Sequence, residues 1–311
     1  MKVHTDIDSI KGISRPILTI GTFDGVHRGH RVIIDRLNGI AQEEQGESVL
    51  LTFHPHPRSV VSEVGAIELL TTMEERLQLL EAAGLDHVIV YPFTHEFSRI
   101  SALAYVRDIL VNRIDLHYAV VGYDHHFGRN REGDIHLLHE LAEVYGFQVE
   151  EISAQTIEEV KVSSTKVRSA LREGRLDDVK KYLGYDYMLT GTVVKGDGRG
   201  KGMGFPTANI LPNDPNKLIP AQGVYAIKAL IEDQVRTGMM NIGTRPTFSS
   251  GQDEVHIEAH LFDLDTDLYG KEMRIDFLAR IRGEKRFSGK EELQDQLQQD
   301  KAEVLGLLKD H

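Results

Sequence analysis

The pattern of apolar residues changes near residue 184, and this change restricts the architecture more than any other feature of the sequence. From residue 15 to about 152, short β-rich runs alternate with amphipathic stretches. This alternation is typical of a parallel sheet with crossover helices, whose ligands bind beyond the carboxyl ends of the strands. The predicted strands read PILTI, SVLLTF, HVIVYPF and YAVVGY, and the predicted helices begin after His30 and at Thr71, Ser101 and Asp134.

Beyond Gly184 the apolar runs follow one another closely, with Gly, Pro, Asn and Asp between them. This spacing favours a small antiparallel β-barrel, and we expect a helix after Ser288 to close its edge. Two polar helical segments, Ser164 to Glu173 and Leu176 to Leu183, connect the two patterns. The predicted barrel strands read MLTGTVV, GVYAIKALI, VRTGMMNI, VHIEAHLF and MRIDFLARI.

The length of the chain also favours two domains. It has 311 residues, and single hydrophobic cores stop growing at roughly 250–300 residues. We place the boundary near 184–186. Residues 1–184 are predicted to form an α/β domain with a Rossmann-like parallel sheet, and residues 185–311 to form the antiparallel barrel with its C-terminal helix.

Composition excludes several classes of function. The chain has 48 acidic and 36 basic side chains and a net charge of −12, which argues against broad binding of nucleic acid or anionic membranes. It has no cysteine, so disulfides, thiolate catalysis and Cys-based zinc sites are excluded. We find no apolar signal core and no run near the roughly 18–20 apolar residues that span a bilayer. We therefore expect a cytoplasmic protein, whose oligomeric state stays open.

Residues 21–30, GTFDGVHRGH, follow the first predicted strand and look like a loop that handles phosphate. Two glycines permit a tight turn, and His27 and His30 stand three apart where a helix is predicted to begin, so both imidazoles can face one ligand. Free backbone N–H groups and the helix dipole favour a phosphate at this point. Two ordinary loop histidines are the alternative interpretation.

A second segment, KVSSTKVR (Lys161 to Arg168), opens a predicted helix with three hydroxyl side chains. Its hydroxyl and N–H groups can hold phosphate oxygens, and Lys166 and Arg168 add positive charge. A Ser/Thr-rich helix cap with basic neighbours is also common without a ligand.

In the predicted barrel, alternate glycines from Gly196 to Gly204 enclose Arg199 and Lys201 and form a locally basic loop. The backbone N–H groups of such a loop can wrap a triphosphate, although glycine alternation also occurs in plain turns.

The strand VHIEAHLF is predicted to have one apolar and one polar face, because side chains alternate along a strand. Without further evidence, Glu258 on the polar face is interpreted as a solvent-exposed carboxylate. The apolar face comprises Val255, Ile257, Ala259 and Leu261, and the polar face comprises His256, Glu258 and His260.

Together these motifs identify a family. The chain resembles the bacterial bifunctional riboflavin kinase/FMN adenylyltransferases, also called FAD synthetases, over nearly its full length. The order and spacing of nine blocks are far more specific than any one block. The blocks are GTFDGVHRGH, TFHPHPR, VVGYDHHFGRNREGD, VSSTKVR, GMGFPTANI, GVYAI, NIGTRPTF, IEAHLFD and LYG.

For the N-terminal domain, the resemblance implies adenylylation of FMN. The FMN phosphate would attack the α-phosphate of ATP to give FAD and pyrophosphate, while His27, His30 and Arg168 stabilise the developing charge. The implied ATP-side residues are Gly21, Phe23, Asp24, Gly29, Ser163, Ser164 and Thr165, and the implied flavin-side residues are His54, His56, Pro57 and Asp124.

For the C-terminal domain, the resemblance implies phosphorylation of riboflavin to FMN, with Glu258 as the general base. Mg²⁺ would enter with ATP and bind Thr207 and Asn209. The implied ATP-side residues are Gly196, Gly200, Lys201, Gly204, Pro206, Thr207 and Asn209, and the implied flavin-side residues are Arg282, Arg286 and Leu293. The run RGEKRF that contains the two arginines is alternatively a plain surface charge run.

The chain departs from the family pattern at His125 and His126, where the family usually has an aromatic and then a basic residue. Compared with the usual family residues, His125 and His126 retain polar character but do not provide the flat apolar face of the aromatic residue. Neighbouring histidines can also bind metal, yet consecutive residues in an extended chain point in opposite directions and seldom ligate together. The His54-Pro55-His56 stretch has the same ambiguity, and there the resemblance implies a wall of the FMN-side pocket.

Two other functions stay open at this stage. A nucleotidyltransferase for another dinucleotide cofactor would share the H-x-G-H loop but has no use for the GFPTAN segment. A flavin or nucleotide sensor without turnover would need binding loops but no base. The joint presence of His27, His30, Thr207, Asn209 and Glu258 argues against such a sensor.

Overall fold

The computed structural model describes residues 1–10, 12–61, 67–153, 162–195, 205–246, 253–264 and 266–308. Contacts divide the chain into two compact units. The first comprises Met1–Leu69 and Met73–Ser164, and the second comprises Leu70–Thr72 and Thr165–His311. This division concerns packing, so the functional boundary predicted at residues 184/185 stays a proposal.

A parallel sheet of six strands forms the centre of the first unit, in the order β1-β4-β3-β2-β5-β6. All its pairings are parallel, which confirms the predicted architecture. Its strands are β1 (Lys2–His4), β2 (Pro16–Ile20), β3 (Glu47–His54), β4 (His87–Pro92), β5 (Tyr118–Gly122) and β6 (Gln148–Ile152).

Helices connect the strands, and several begin at residues suited to capping. Ser101 and Asp134 accept hydrogen bonds from backbone N–H groups of the first turn that follows each, as helix caps do. The helices are α1 (Arg28–Glu43), α2 (Pro57–Val61), α3 (Met73–Ala82), α4 (Ala102–Ala104, continuing as a π-helix over Tyr105–Val111), α5 (Ile135–Tyr145), α6 (Ser164–Arg172), α7 (Leu176–Leu183) and α8 (Lys290–Leu307).

The core of the first unit consists of two clusters of buried side chains. One includes Leu18 and Val49 together with Val106 of α4, and the other includes Leu50 together with Leu37 of α1. Val49 and Leu50 are neighbours on β3, so they point to opposite faces of the sheet. Both faces are therefore covered, which explains why the central strands read as continuous apolar runs.

The second unit contains a closed antiparallel barrel in the order β10-β11-β8-β7-β12-β9. The expectation that a helix closes the barrel edge is wrong, because β9 pairs with β10 and completes the ring. The helix α8 instead packs Val304 into an apolar cluster with Phe205 and Met239. The strands are β7 (Met188–Val194), β8 (Ala208–Pro212), β9 (Gly223–Ile231), β10 (Gln234–Pro246), β11 (Asp253–Leu261) and β12 (Glu272–Arg282).

Three strands were not predicted, for identifiable reasons. The edge strand β1 has three residues, too few for a pattern, and β6 reads QVEEI, in which polar residues dominate. The strand β8 reads ANILP and contains the end of the GFPTAN segment, which we interpreted by its ligand chemistry alone. Of the helices in the described ranges, none is both long and apolar enough to cross a membrane.

The barrel is packed closely at Gly191 of β7, and Gly191→Ala tests this packing. A Cβ atom at residue 191 would lie 2.6 Å from Cγ2 of Ile210 and 2.6 Å from the carbonyl oxygen of Leu211. Because overpacking forces the backbone to move, we expect the variant to lose about 1–3 kcal/mol of unfolding free energy, measured by chemical denaturation.

Gly306→Ala is the matched control in the same unit. A Cβ at residue 306 meets no atom within 4 Å, and alanine stabilises a helix relative to glycine by up to about 1 kcal/mol. An equal loss of stability in both variants would show that the barrel is not close-packed at residue 191.

Candidate active sites

The carboxyl ends of four neighbouring parallel strands meet at one edge of the sheet. The order β4-β3-β2-β5 places the strand ends at Pro92, His54, Ile20 and Gly122 side by side. The loop of residues 21–27 follows the central strand β2. Parallel sheets bind ligands at this edge, and the N-terminal candidate residues therefore converge there.

His27 and His30 lie against each other at the start of α1. Their ring centroids are 3.6 Å apart with the planes inclined by 10°, and the ring of Phe23 stacks on His30 at 4.6 Å. His27 is the N-cap of the helix, and its Nδ1 accepts a hydrogen bond from the backbone N–H of His30 over 3.3 Å. Because the two histidines are three residues apart, the ring of His27 lies at the N-cap and the ring of His30 lies in the first turn of α1.

The environment of His30 favours its neutral form. Burial lowers the pKa of His30 well below its usual range, and His27 and Arg76 lower it further. Its Nδ1 atom is buried and has no hydrogen-bond partner in the described part of the chain. A bound anion would favour the protonated ring and so raise this pKa.

Two glycines, one in this loop and one at the start of α1, lie close to the aromatic rings. A Cβ at Gly29 would lie 3.2 Å from Cε1 of His27, and a Cβ at Gly21 would lie 2.9 Å from the ring of Phe23. A side chain at residue 21 would therefore displace the ring of Phe23, and a side chain at residue 29 would require the imidazole of His27 to shift by a few tenths of an ångström.

Asp24 is held by a buried cation. Its Oδ1 lies 3.3 Å from Nη2 of Arg76, and the two side chains are 1% and 3% exposed. The backbone carbonyl of Asp24 accepts a hydrogen bond from Oγ of Ser164 over 3.1 Å. These contacts fix the loop in place. Arg76 was not predicted, because MEERLQLL reads as an ordinary helix.

The Ser/Thr-rich segment forms the start of α6, as predicted from its sequence. Ser163 and Thr165 are exposed, Ser164 is half-buried and Arg168 is buried. Ser164 belongs to the first unit, and Thr165 and Arg168 belong to the second. Their roles stay predictions.

The proposed flavin-side residues of the first unit follow β3 and β5. His54 and Asp124 are exposed, whereas His56 and Pro57 are half-buried. Nδ1 of His56 accepts a hydrogen bond from the backbone N–H of Arg58 over 3.1 Å. This bond orients the imidazole at the start of α2.

An aromatic cluster, which we did not predict, lies at the same edge of the sheet. The ring of Phe97 lies 4.7 Å from that of Tyr91, 5.4 Å from that of Phe93 and 5.7 Å from that of Phe53. These four rings are half-buried. Half-buried rings that protrude from strand ends offer an apolar surface to a planar ligand. The cluster comprises Phe53, Tyr91, Phe93, Phe97, Tyr105 and Phe127, with His125 stacked on Phe127.

The second unit contains a cavity of about 300 Å³ between the barrel and its C-terminal helix. Polar and apolar side chains alternate around it. Its lining comprises Phe205, Thr207, Val224, Met239, Met240, Asn241, Glu258, His260, Arg282, Glu284, Lys285, Phe287, Leu293 and Leu297.

Glu258 lines this cavity and lies on β11, the middle strand of the three paired strands β10, β11 and β8. On one side it pairs with Asn241 of β10, and on the other side with Asn209 of β8. The hydroxyl of Thr207 donates a hydrogen bond to Oε2 of Glu258 over 3.3 Å. The structure therefore brings three of the predicted kinase residues together: Thr207, Asn209 and Glu258.

The predicted faces of β11 need two corrections. Ile257, Ala259 and Leu261 are buried as expected, but Val255 is 48% exposed because it lies at the outer end of the strand. His260, predicted to lie on the polar face, is 7% exposed because that face lines the cavity.

Arg282 and Leu293 line the cavity. Asp300, which we did not predict, binds the guanidinium group of Arg282. Asp300 of α8 accepts from Nε of Arg282 over 2.9 Å and from Nη2 over 2.8 Å. Asp300 is 1% exposed, and Gln296 donates to it over 3.0 Å. Arg286 is exposed and is absent from the described lining of the cavity.

The predicted glycine loop lies mostly outside the described residues. This holds for Gly196, Gly200, Lys201 and Gly204. Pro206 lies within the described range, and its carbonyl oxygen is 2.8 Å from Nδ1 of His260.

Comparison with known proteins agrees with this division into two sites. A family model described as FAD synthetase matches residues 10–166, and one described as riboflavin kinase matches residues 183–308. A Listeria monocytogenes protein named bifunctional riboflavin kinase/FMN adenylyltransferase is 36% identical over 93% of this chain and 91% of its own length. An Escherichia coli protein of the same name is 36% identical over 94% of each chain.

The chain belongs to the bifunctional riboflavin kinase/FMN adenylyltransferase family. A crystal structure described as that of a macrolide-efflux protein from Streptococcus pneumoniae has a TM-score of 0.85, 26% identity and 97% coverage of both chains. That description applies to the pneumococcal protein. Both family models and the named relatives above instead agree on flavin chemistry.

His125 stands where the resemblance to the family predicts an aromatic residue. Its ring stacks on Phe127 at 5.8 Å, so it occupies a place in the aromatic cluster. Its Nε2 atom is buried without a hydrogen-bond partner among the described residues. Burial lowers its pKa to about 4.

His125→Phe should remove a pH dependence of stability. The folded protein resists protonation of His125 until about pH 4, whereas the unfolded chain takes up this proton near pH 6.5. The histidine therefore destabilises the fold progressively as the pH falls from about 6.5 to about 4, by up to about 3 kcal/mol. Urea unfolding at pH 7.5 and pH 4.5 should show the variant losing less stability than the wild type.

His126→Phe is the matched control, because the neighbouring ring is exposed. This variant should keep the pH dependence of the wild type. If His125→Phe also keeps it, the neutral buried state of His125 is refuted.

Proposed function

We propose that this chain converts riboflavin to FMN and FMN to FAD at two separate sites, with one ATP consumed in each step. The observation that carries the proposal is that each half of the chain matches the model for one activity and holds a suitable site. Residues 10–166 contain the stacked histidines, and residues 183–308 contain the cavity around Glu258. The substrates are riboflavin, FMN and ATP.

In the kinase site, Glu258 would accept the proton of the riboflavin 5′-hydroxyl while the hydroxyl oxygen attacks the γ-phosphate of ATP. The products are FMN and ADP. The bond from the Thr207 hydroxyl to Oε2 supports this role, since it shows the carboxyl group acting as an acceptor in the cavity. Arg282 and Leu293 line the same cavity and would contact the flavin. A contact from Arg286 stays a prediction.

Thr207 and Asn209 would hold the Mg²⁺ that accompanies ATP. Thr207 immediately precedes β8 and Asn209 is the second residue of that strand, so the two side chains would share a face of the extended chain, and Asn209 pairs with Glu258. Their hydroxyl and amide oxygens are the hard ligands that Mg²⁺ requires. No group of three or more His, Asp or Glu residues in the described ranges could hold a metal by itself. When bound, the ion would neutralise phosphate charge.

In the adenylyltransferase site, the FMN phosphate would attack the α-phosphate of a second ATP, and pyrophosphate would leave. The stacked pair of His27 and His30 at a helix N-terminus is suited to stabilise the charge that develops. The half-buried aromatic cluster is the proposed surface for the flavin ring, beside His54, His56 and Pro57. The roles of Asp124, Arg168 and the Ser/Thr segment stay predictions from the resemblance.

The two alternative functions are not favoured. A nucleotidyltransferase for another cofactor does not account for the match of residues 183–308 to riboflavin kinases. A sensor without turnover does not account for the carboxylate placed in the cavity. The cytoplasmic location and the magnesium requirement stay predictions.

His30→Ala should separate the two activities. The residue lies in the unit that matches FAD synthetase, so FAD formation from FMN should be abolished while riboflavin phosphorylation stays within about twofold. Chromatographic separation of FMN and FAD after incubation with Mg-ATP measures both activities in one sample.

His139→Ala, an exposed histidine on α5, is the control and should leave both activities unchanged. Equal loss of both activities in folded His30→Ala protein would contradict the assignment of His30 to one site.

Glu258→Gln should slow the kinase by about 10²–10⁴-fold, because it keeps the side-chain size but cannot accept a proton. Riboflavin and ATP binding should change little, so the loss should appear in kcat and not in KM. Steady-state kinetics of FMN formation provides the measurement.

Glu303→Gln, exposed on α8, is the carboxylate control and should retain the wild-type rate. A structural role for Glu258 predicts the reverse pattern, with a lower melting temperature and a nearly normal rate at saturating substrate.

A further inference from the structure

His260 is a buried imidazole in the kinase cavity that the mechanism above does not use. It is 7% exposed, lines the cavity and lies two residues from Glu258 on β11. The rings of Phe205 and Phe262 meet it edge to face at 5.1 and 5.7 Å. These contacts fix the ring plane, so its two nitrogen atoms have defined directions.

The tautomer of His260 follows from its hydrogen bond. Nδ1 lies 2.8 Å from the carbonyl oxygen of Pro206, and a carbonyl oxygen can only accept, so Nδ1 carries the hydrogen. Burial lowers the pKa of His260, and Lys301 lowers it further, against the opposing effect of the bond to Pro206. In the neutral ring, Nε2 is then an acceptor, and it has no hydrogen-bond partner among the described residues.

Because Nε2 is a hydrogen-bond acceptor, it can bind only a group of ATP or riboflavin that carries a hydrogen to donate. In Mg-ATP the phosphate oxygens carry no hydrogen at neutral pH, so they cannot donate to Nε2. The other donors of the two substrates lie further away: the ribose hydroxyls and the adenine amine of ATP lie beyond the α- and β-phosphates from the γ-phosphate, and the flavin N3–H lies at the end of the ring system remote from the ribityl chain. A hydroxyl group can donate, and riboflavin has several along its ribityl chain. Residues two apart on one face of a strand are about 6.5–7 Å apart, a distance that a chain of a few carbons spans.

We propose that Nε2 of His260 accepts a hydrogen bond from a ribityl hydroxyl of riboflavin and thereby selects flavins that carry a polyol chain. The 5′-hydroxyl lies at Glu258 in the proposed mechanism, and a hydroxyl further along the same chain reaches His260. His260 is then a specificity-determining residue of the kinase site. This inference rests on the proposed kinase function of the cavity.

Two substitutions separate the functions of the two ring nitrogens. Asn places an amide nitrogen near the position of Nδ1, so His260→Asn can keep the bond to Pro206 but lacks the acceptor at Nε2. Gln places an amide oxygen near the position of Nε2, so His260→Gln can keep that acceptor but loses the bond to Pro206. The probes are riboflavin and lumiflavin, which has the same ring system without the ribityl chain.

Flavin binding to the full chain, measured by fluorescence quenching with Mg-ADP present, tests the proposal without turnover. The wild type should bind riboflavin more tightly than lumiflavin. His260→Asn should weaken riboflavin binding about 5- to 50-fold and leave lumiflavin binding unchanged. His260→Gln should retain most of the riboflavin affinity and show a lower melting temperature or a higher KM for ATP, because the segment before β8 is no longer tied to β11.

Several results would overturn the proposal. These are equal affinity of the wild type for the two flavins, unchanged riboflavin binding in His260→Asn, or equal weakening of both flavins in that variant. The last result would indicate a packing role for the ring. A wild-type protein that binds riboflavin but does not phosphorylate it would refute the proposed function instead, and the binding comparison would still decide the role of His260.

Discussion

The pairing of β11 with both its neighbours is the constraint on which the kinase site depends. Glu258 pairs with Asn241 on one side and with Asn209 on the other. A shift of one residue in either register would turn Glu258 toward the opposite face of the barrel. Closure of the barrel prevents such a shift, because all six strands are held on both sides. The closed barrel therefore fixes the position of Glu258 in the cavity.

The architecture could be predicted because local signals agree with it. Ser101 and Asp134 are capping residues at the predicted helix starts, and the structure uses both as caps. The stacking of His27 and His30 also follows from sequence, since residues three apart at a helix start are neighbours. The strand β8 was missed because its five residues overlap a motif that we interpreted by its chemistry and not by its pairing.

The remaining site residues could not be predicted, because their partners are distant in sequence. Arg76 meets Asp24 across 52 residues and Asp300 meets Arg282 across 18, and no local pattern reports such contacts. The half-buried rings of Phe53, Tyr91 and Phe97 come from different segments and form a cluster only after the sheet aligns their strand ends. His260 was predicted to lie on a polar face, and its burial was missed because alternation alone does not show that a polar face encloses a cavity.

The contact between His27 and His30 links binding to proton exchange. Two imidazolium rings with centroids 3.6 Å apart would repel each other, and Arg76 adds a third positive charge beside His30. This environment therefore favours the neutral form of His30. Under the proposed function, a triphosphate bound at this loop would reverse this preference, because its negative charge favours protonation of His30. Nucleotide binding at this loop should accordingly withdraw protons from the solvent, and the heat of binding would then vary with the ionisation enthalpy of the buffer.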